Sequence, residues 1–328
     1  MQNPNTIDNI YTIINPIGEG GISFVYLVRN NNIEYAAKVT ANNPNGYIHE
    51  LQMTALASGL NNPNIIHLNN YGTGTIRNNG RVANNKHYLI LDYYSKGDLF
   101  KYIDQNGLTE RQAKFIFKKI LKGVQTLHGA GICHRDLKLE NILLDQNFNP
   151  KISNFALAKS FIQNNQVVQL TDYVGVIGYI SPQIINNQPY SGDKADIFSL
   201  GVILFYLVTG INGFQNWSNH DFYYKLIKKR KNAQYWDEIA KSFQNVNNLS
   251  PDFKNLYFSM VAFNENDRPN VGQILQHHWF DEINNLNNNQ LIQLENNVRN
   301  EFIAREANLL NQINQQINQQ INDDMVFN

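Results

Sequence analysis

His134-Arg135-Asp136-Leu137-Lys138-Leu139-Glu140-Asn141 is the stretch on which the reading of this chain turns. It follows a helix signal. Thr109 with Gln112 makes a capping box, and Ala113, Ile116, Phe117, Ile120, Leu121, Val124 and Leu127 share one face. Gly129 and Gly131 end that pattern. Further upstream the apolar period is that of strands: residues 11–17, 23–29 and 33–39 alternate around a glycine cluster. A helical stretch, 47–60, follows them. Two more strand-like runs, 65–71 and 88–93, are separated by polar residues 78–85, which read as a surface insertion. Downstream, 193–209 is a helix apolar nearly all round, with Gly210 after its end. Strands first and helices afterwards predict an α+β protein with a small antiparallel-sheet lobe and a larger helical lobe.

Composition excludes several classes. Hydrophobic residues make up 42% and charged residues 16%, enough for a packed core in 328 residues. Lys+Arg and Asp+Glu are both 27, and a neutral chain has no electrostatic reason to bind nucleic acid or a membrane surface. The longest apolar stretch, 197–208, falls short of the ~20 residues that span a bilayer. The single cysteine, Cys133, reads as an inert core thiol. Together with a start that lacks the features of a signal peptide, this leads us to expect an intracellular, cytoplasmic protein. After Phe280 the composition turns rich in Asn and Gln. Val298, Phe302, Leu309, Ile313, Ile317 and Ile321 could form a helix stripe there, against the plainer reading of a solvated tail.

Two further segments carry chemistry. In IGEGGISFVYLV, residues 17–28, Gly18 and Gly20 let a strand turn bring backbone N–H groups against phosphates, and Val25 would cover an adenine ring. In Tyr35-Ala36-Ala37-Lys38 a lysine sits mid-strand and must aim its amine at an anion; Glu50 is the available helix carboxylate.

The octad 134–141 resembles the catalytic loop of the eukaryotic protein kinase family, in its serine/threonine branch. Chance agreement at its specified positions is on the order of 20⁻⁶, so the resemblance is specific where a lone glycine pattern is not. The resemblance covers residues 11–281 and implies a bilobal kinase domain. Its N-lobe would run to about 93 and its C-lobe from about 94 to 281, with 1–10 as an N-terminal extension and 282–328 as an Asn/Gln-rich tail. It implies that Asp136 accepts the substrate hydroxyl's proton, that Lys138 steadies the γ-phosphate, and that Asn141 binds a metal ion. Lys38 would meet the α/β-phosphates, held by Glu50. Ala36, Leu91 (the gatekeeper), Asp92, Tyr94 and Leu143 would line the adenine site, with Asp98 at a ribose hydroxyl. Asp196 would tie down the catalytic-loop backbone. The implied ligands are ATP and Mg²⁺, and the implied partner is a protein.

This sequence departs from the family in four places. The metal-gripping Asp-Phe-Gly reads Asn154-Phe155-Ala156. Asparagine keeps an oxygen but loses the charge that a hard dication favours, so the metal site should be weakened. Ala156 also removes the backbone freedom of glycine there. The Ala-Pro-Glu anchor reads Ser181-Pro182-Gln183, leaving Arg268 without a carboxylate, and the threonine that touches the catalytic aspartate is Val176. In the activation segment, Thr171-Asp172-Tyr173 stands where kinases are commonly phosphorylated; Asp172 could pair with Arg135 as a built-in carboxylate. Three functions stay open at this point. The chain is an ATP-binding pseudokinase, a working serine/threonine kinase with a compromised metal site, or an assembly platform acting through its tail.

Overall fold

The computed structural model describes residues 5–20, 23–40, 44–213, 221–243 and 246–326, with side chains described as far as residue 316. Five antiparallel strands build the first lobe: β1 Tyr11–Gly20, β2 Ser23–Asn30, β3 Ile33–Thr40, β4 Leu68–Asn78 and β5 Arg81–Asp92. Their sheet order is β1-β2-β3-β5-β4. A two-residue strand, Thr6–Ile7, pairs with both β1 and β4 and closes the sheet into a barrel. Alternation drives this packing. Tyr11, Ile13, Val28, Ala37, Val39, Ile76, Tyr88 and Ile90 cluster around Ile7, and most of the intervening residues are more exposed, with Leu27 and Leu89 buried as well. Residues 5–10 therefore belong to the sheet lobe, and its packing begins before residue 11.

Residues 78–85 are not an insertion loop. β4 and β5 continue through them as a hairpin, registered Asn78↔Arg81, and the turn is only Asn79-Gly80, both with positive φ. Asn-Gly favours the mirror-image two-residue turn whose twist matches the flanking strands. Residues 65–66, expected as strand, instead bridge the lobes: Ile66 N–H donates to Ile152 O at 3.0 Å. Helix α1, Pro44–Gly59, turns Glu50, Met53, Thr54 and Ala57 toward the interior.

The second lobe is helical. Its centre is α2, Glu110–Gly129, and α3, Gly192–Thr209. The Thr109–Gln112 capping box forms at the start of α2. Nearly every residue of α3 is buried, which explains its lack of a polar face. Gly210 ends α3 at φ +70°, where any side chain would also collide with the carbonyl of Asp104. A small hairpin, β6 Ile142–Leu144 with β7 Pro150–Ile152, carries the loop 134–141 toward the first lobe.

The C-terminal segment is a helix, α4 Asn288–Val326. Its first half docks on the second lobe. Leu294, Val298 and Phe302 are buried there, and Phe302 packs on Tyr102 and Phe148 at 5.3 and 5.6 Å between ring centroids. The predicted stripe therefore breaks: Leu309 and Ile313 are exposed, and the side chains of Ile317 and Ile321 lie outside the described residues. No described helix is long and apolar enough to cross a membrane.

Candidate active site

A cleft of about 700 Å³ lies between the lobes. Gly18 and Gly20 of β1, Val25 of β2, Ala36 and Lys38 of β3 and Glu50 of α1 line it from above. Leu91, Asp92, Tyr94 and Asp98 line the connecting segment, and Lys138, Asn141, Leu143 and Asn154 the floor. Residues spread from 18 to 154 are thus brought together, and the volume suits a small molecule.

Lys38 lies opposite Val25 on β2 and Leu89 on β5, so its side chain is delivered from mid-sheet. Its ammonium pairs with the buried carboxylate of Glu50 and donates to Asn154 Oδ1 at 3.2 Å. Asp98 is engaged as a helix cap, accepting from Lys101 N at 3.2 Å.

The loop 134–141 is held rigidly. The Asp196 carboxylate accepts from the backbone N–H groups of His134 and Arg135 at 2.7 and 2.8 Å. His134 is fully buried; its Nε2 donates to Ser153 O at 2.8 Å and its ring meets Phe155 edge-on, so it serves packing. Asn141 Nδ2 donates to Asp136 Oδ2 at 2.8 Å and fixes that carboxylate. Lys138 Nζ stands 3.8 Å from the same oxygen. Cys133 is buried, and burial pushes its thiol pKa up, which keeps it unreactive.

Asn154, at φ +65°, stands at the centre of these groups. Its Oδ1 accepts from Lys38, while its Nδ2 donates to Asn141 Oδ1 at 3.2 Å and lies 3.5 Å from Asp136 Oδ2. Reversing the amide would put its NH₂ against an ammonium and its oxygen against a carboxylate and a carbonyl. The neighbours therefore determine its orientation. The single amide oxygen faces Lys38, and a donor faces the two oxygens that could hold a cation. A divalent ion would find two neutral amides and one carboxylate here. No group of three or more His, Cys, Asp or Glu able to hold a metal exists among the described residues. The donors fit an ion carried chiefly by the phosphates of a nucleotide.

The other departures are also visible. Arg268 is buried and satisfied by oxygens alone: Gln183 Oε1 at 2.7 Å, Ala262 O at 2.8 Å and Lys194 O at 2.9 Å. Burial lowers its pKa to about 9, a shift that the nearby charge of Glu265 offsets only in part. Val176 is exposed.

The activation segment is tied to the catalytic loop. Asp172 Oδ2 accepts from Arg135 Nη1 at 2.6 Å and from Lys159 Nζ at 2.9 Å. Tyr190 OH adds a bond to Asp172 O at 3.1 Å. Thr171 and Tyr173 are exposed. Hydrogen bonds from Lys159 and then Arg135 hold the Asp172 carboxyl below the usual carboxylate range. A lowered folded-state pKa means the stabilisation is complete above the ordinary value of about 3.9 and is lost only as pH falls below it. Segment 160–180 should therefore show flat protease sensitivity from pH 6 to 8, whereas a phosphate in that place would titrate near pH 6. Asp172→Ala should raise the cleavage rate about fivefold, equivalent to about 1 kcal/mol for a half-exposed ion pair. Limited proteolysis checks both; an unchanged rate in the variant would leave the carboxylate without an ordering role.

A protein-family model described as "Protein kinase domain" matches residues 11–280. The chain belongs to this family. The protein kinase domain is similar to NUAK family SNF1-like kinase 1 of Homo sapiens, 32% identical over 233 residues, 71% of this chain and 32% of that protein. It is also similar to CBL-interacting serine/threonine-protein kinase 13 of Arabidopsis thaliana, 29% identical over 276 residues, 82% of this chain and 51% of that protein. CBL-interacting protein kinase 5 of Oryza sativa subsp. japonica is 30% identical over 278 residues, 83% of this chain and 56% of that protein. The protein kinase family and its bilobal fold are thereby shown. The chain spans only part of the length of these relatives.

Sequence reading missed Lys159 as the second cation on Asp172, and Tyr190 beneath it. Neither lies in a recognisable pattern; each reaches the site through chain reversals that no local spacing announces.

Proposed function

We propose that this kinase domain binds ATP in the interlobe cleft and transfers its γ-phosphate to protein serine or threonine slowly or not at all. The observation that carries the proposal is the orientation of Asn154. Its amide N–H occupies Asn141 Oδ1, and its only oxygen is committed to Lys38.

The remaining residues suit the nucleotide. Lys38, oriented by Glu50, would meet the α/β-phosphates, and the backbone around Gly18 and Gly20 would approach them closely. Asp136 is oriented to accept the proton of an incoming hydroxyl, and Lys138 stands beside it to steady the transferred group. Magnesium bound with ATP would neutralise phosphate charge, and Asn141 and Asn154 are the residues that would hold it. For that, Asn141 Oδ1 must be released from Asn154. An aspartate at 154 could not donate to Asn141, so its negative charge would call for a cation.

An active kinase is the second reading, favoured by the fully ordered Asp136–Asn141–Asp196 loop. Labelled ATP with a generic protein substrate, under Mg²⁺ and then Mn²⁺, tests the choice. We expect transfer near background with either metal. Steady turnover at one or more per second, the lower range for kinases, would establish the second reading.

A further inference from the structure

The first half of α4 reaches the segment that joins the two lobes. Lys96 lies there, two residues before Asp98, and lines the cleft. Its ammonium does not point into solvent. It pairs with both Glu306 oxygens, at 2.7 and 3.1 Å, and sits 4.9 Å over the Phe148 ring. Tyr102 OH lies between the same two elements, 3.1 Å from Lys96 O and 3.2 Å from Glu306 Oε1. One position earlier, Arg305 donates to the carbonyls of Tyr102 and Gly107 at 3.0 and 2.5 Å. Phe302 seats the helix below them against Tyr102.

We propose that Glu306 is a positioning residue for the nucleotide cleft: through Lys96 and Tyr102 it holds backbone 95–103, and hence Asp98, in the geometry that receives the ligand. The inference rests on the cleft being an ATP site. It makes the C-terminal helix part of the binding apparatus, beyond any role in stability. The physical reason is local. The segment 93–98 has no regular structure apart from the short strand Gly97–Asp98, and Lys96 within it is tied to α4 through Glu306. Without Glu306 the Lys96 ammonium loses its only carboxylate partner among the described residues and is free to turn toward the cleft. Leu294, Val298 and Phe302 would still hold the helix on the lobe, so the variant keeps its fold.

The test uses the full chain in four forms: wild type, Glu306→Gln, Lys96→Met and the double variant. Calorimetric titration with ATP reads affinity, and hydrogen exchange without nucleotide reads the backbone of 95–103. We expect each single change to weaken ATP binding about tenfold, within the usual range for coupling between sites. The double variant should be no weaker than the single ones, because both remove one interaction. Exchange of 95–103 should quicken in all three while the α2 and α3 amides stay protected. Unchanged exchange and affinity in Glu306→Gln, or additive losses in the double variant, would overturn the proposal. If the wild type takes no ATP, the cleft reading has failed instead, and the exchange result still decides whether the clasp orders 95–103.

Discussion

Asn154→Asp is expected to raise phosphotransfer by about 100-fold, which corresponds to roughly 2.7 kcal/mol of barrier. The variant removes the N–H that donates to Asn141 Oδ1 and places two anionic oxygens among Lys38, Asp136 and Asn141. Two carboxylates and an amide oxygen then converge, and the repulsion between Asp136 and the new aspartate is relieved by a divalent cation. Metal and charge contacts of this kind are worth several powers of ten in phosphoryl transfer. The gain should require Mg²⁺ or Mn²⁺ and should be small in chelator. Measured turnover against wild type, at matched ATP saturation, checks it. A folded variant with no gain would move the lesion elsewhere: to Ala156, to Val176, or to the Gln183–Arg268 anchor, where the buried guanidinium lacks a carboxylate.

Lys38→Met should abolish measurable ATP binding. Lys38 lines the cleft, and Glu50 and Asn154 both orient it. Methionine keeps the aliphatic stem but leaves the buried Glu50 carboxylate unneutralised, so the variant removes a cation from the cleft and leaves an anion facing the phosphates. We expect the loss of at least 100-fold in affinity, about 2.7 kcal/mol, close to the lower end of the range for breaking a buried charge pair. Thermal shift with millimolar ATP should stabilise wild type and leave the variant unmoved. Equal shifts in both would place the nucleotide away from Lys38.

The cleft was largely legible because its residues lie in local patterns: glycines between strands, a lysine mid-strand, an octad of fixed spacing. Asp196 accepts from the His134 and Arg135 N–H groups, the contact that the family resemblance implied. What stayed hidden depends on distant pairing. The Lys96–Glu306 contact spans 210 positions, and neither residue belongs to a motif. Thr6–Ile7 is too short to show alternation, yet its pairing closes the barrel. Asn79-Gly80 was a readable turn, but asparagine is so common throughout the chain that residues 78–85 looked like one polar loop. The stripe in the tail failed for another reason. Residues 294, 298 and 302 keep a spacing of four and stay on one buried face, and the next positions of that series face solvent once the helix passes Glu306.

The most direct test of the central claim is ATP titration of the wild-type chain by calorimetry, with excess Mg²⁺ and with chelator. A cleft that grips phosphates with Lys38 but offers the metal only neutral amides and a partly engaged carboxylate should bind ATP in both conditions. The affinities should agree within about threefold, less than 1 kcal/mol. Binding that appears only with Mg²⁺ would show that the ion is held firmly by the protein and would contradict the reading of Asn154. Absence of binding in both would contradict the nucleotide site itself.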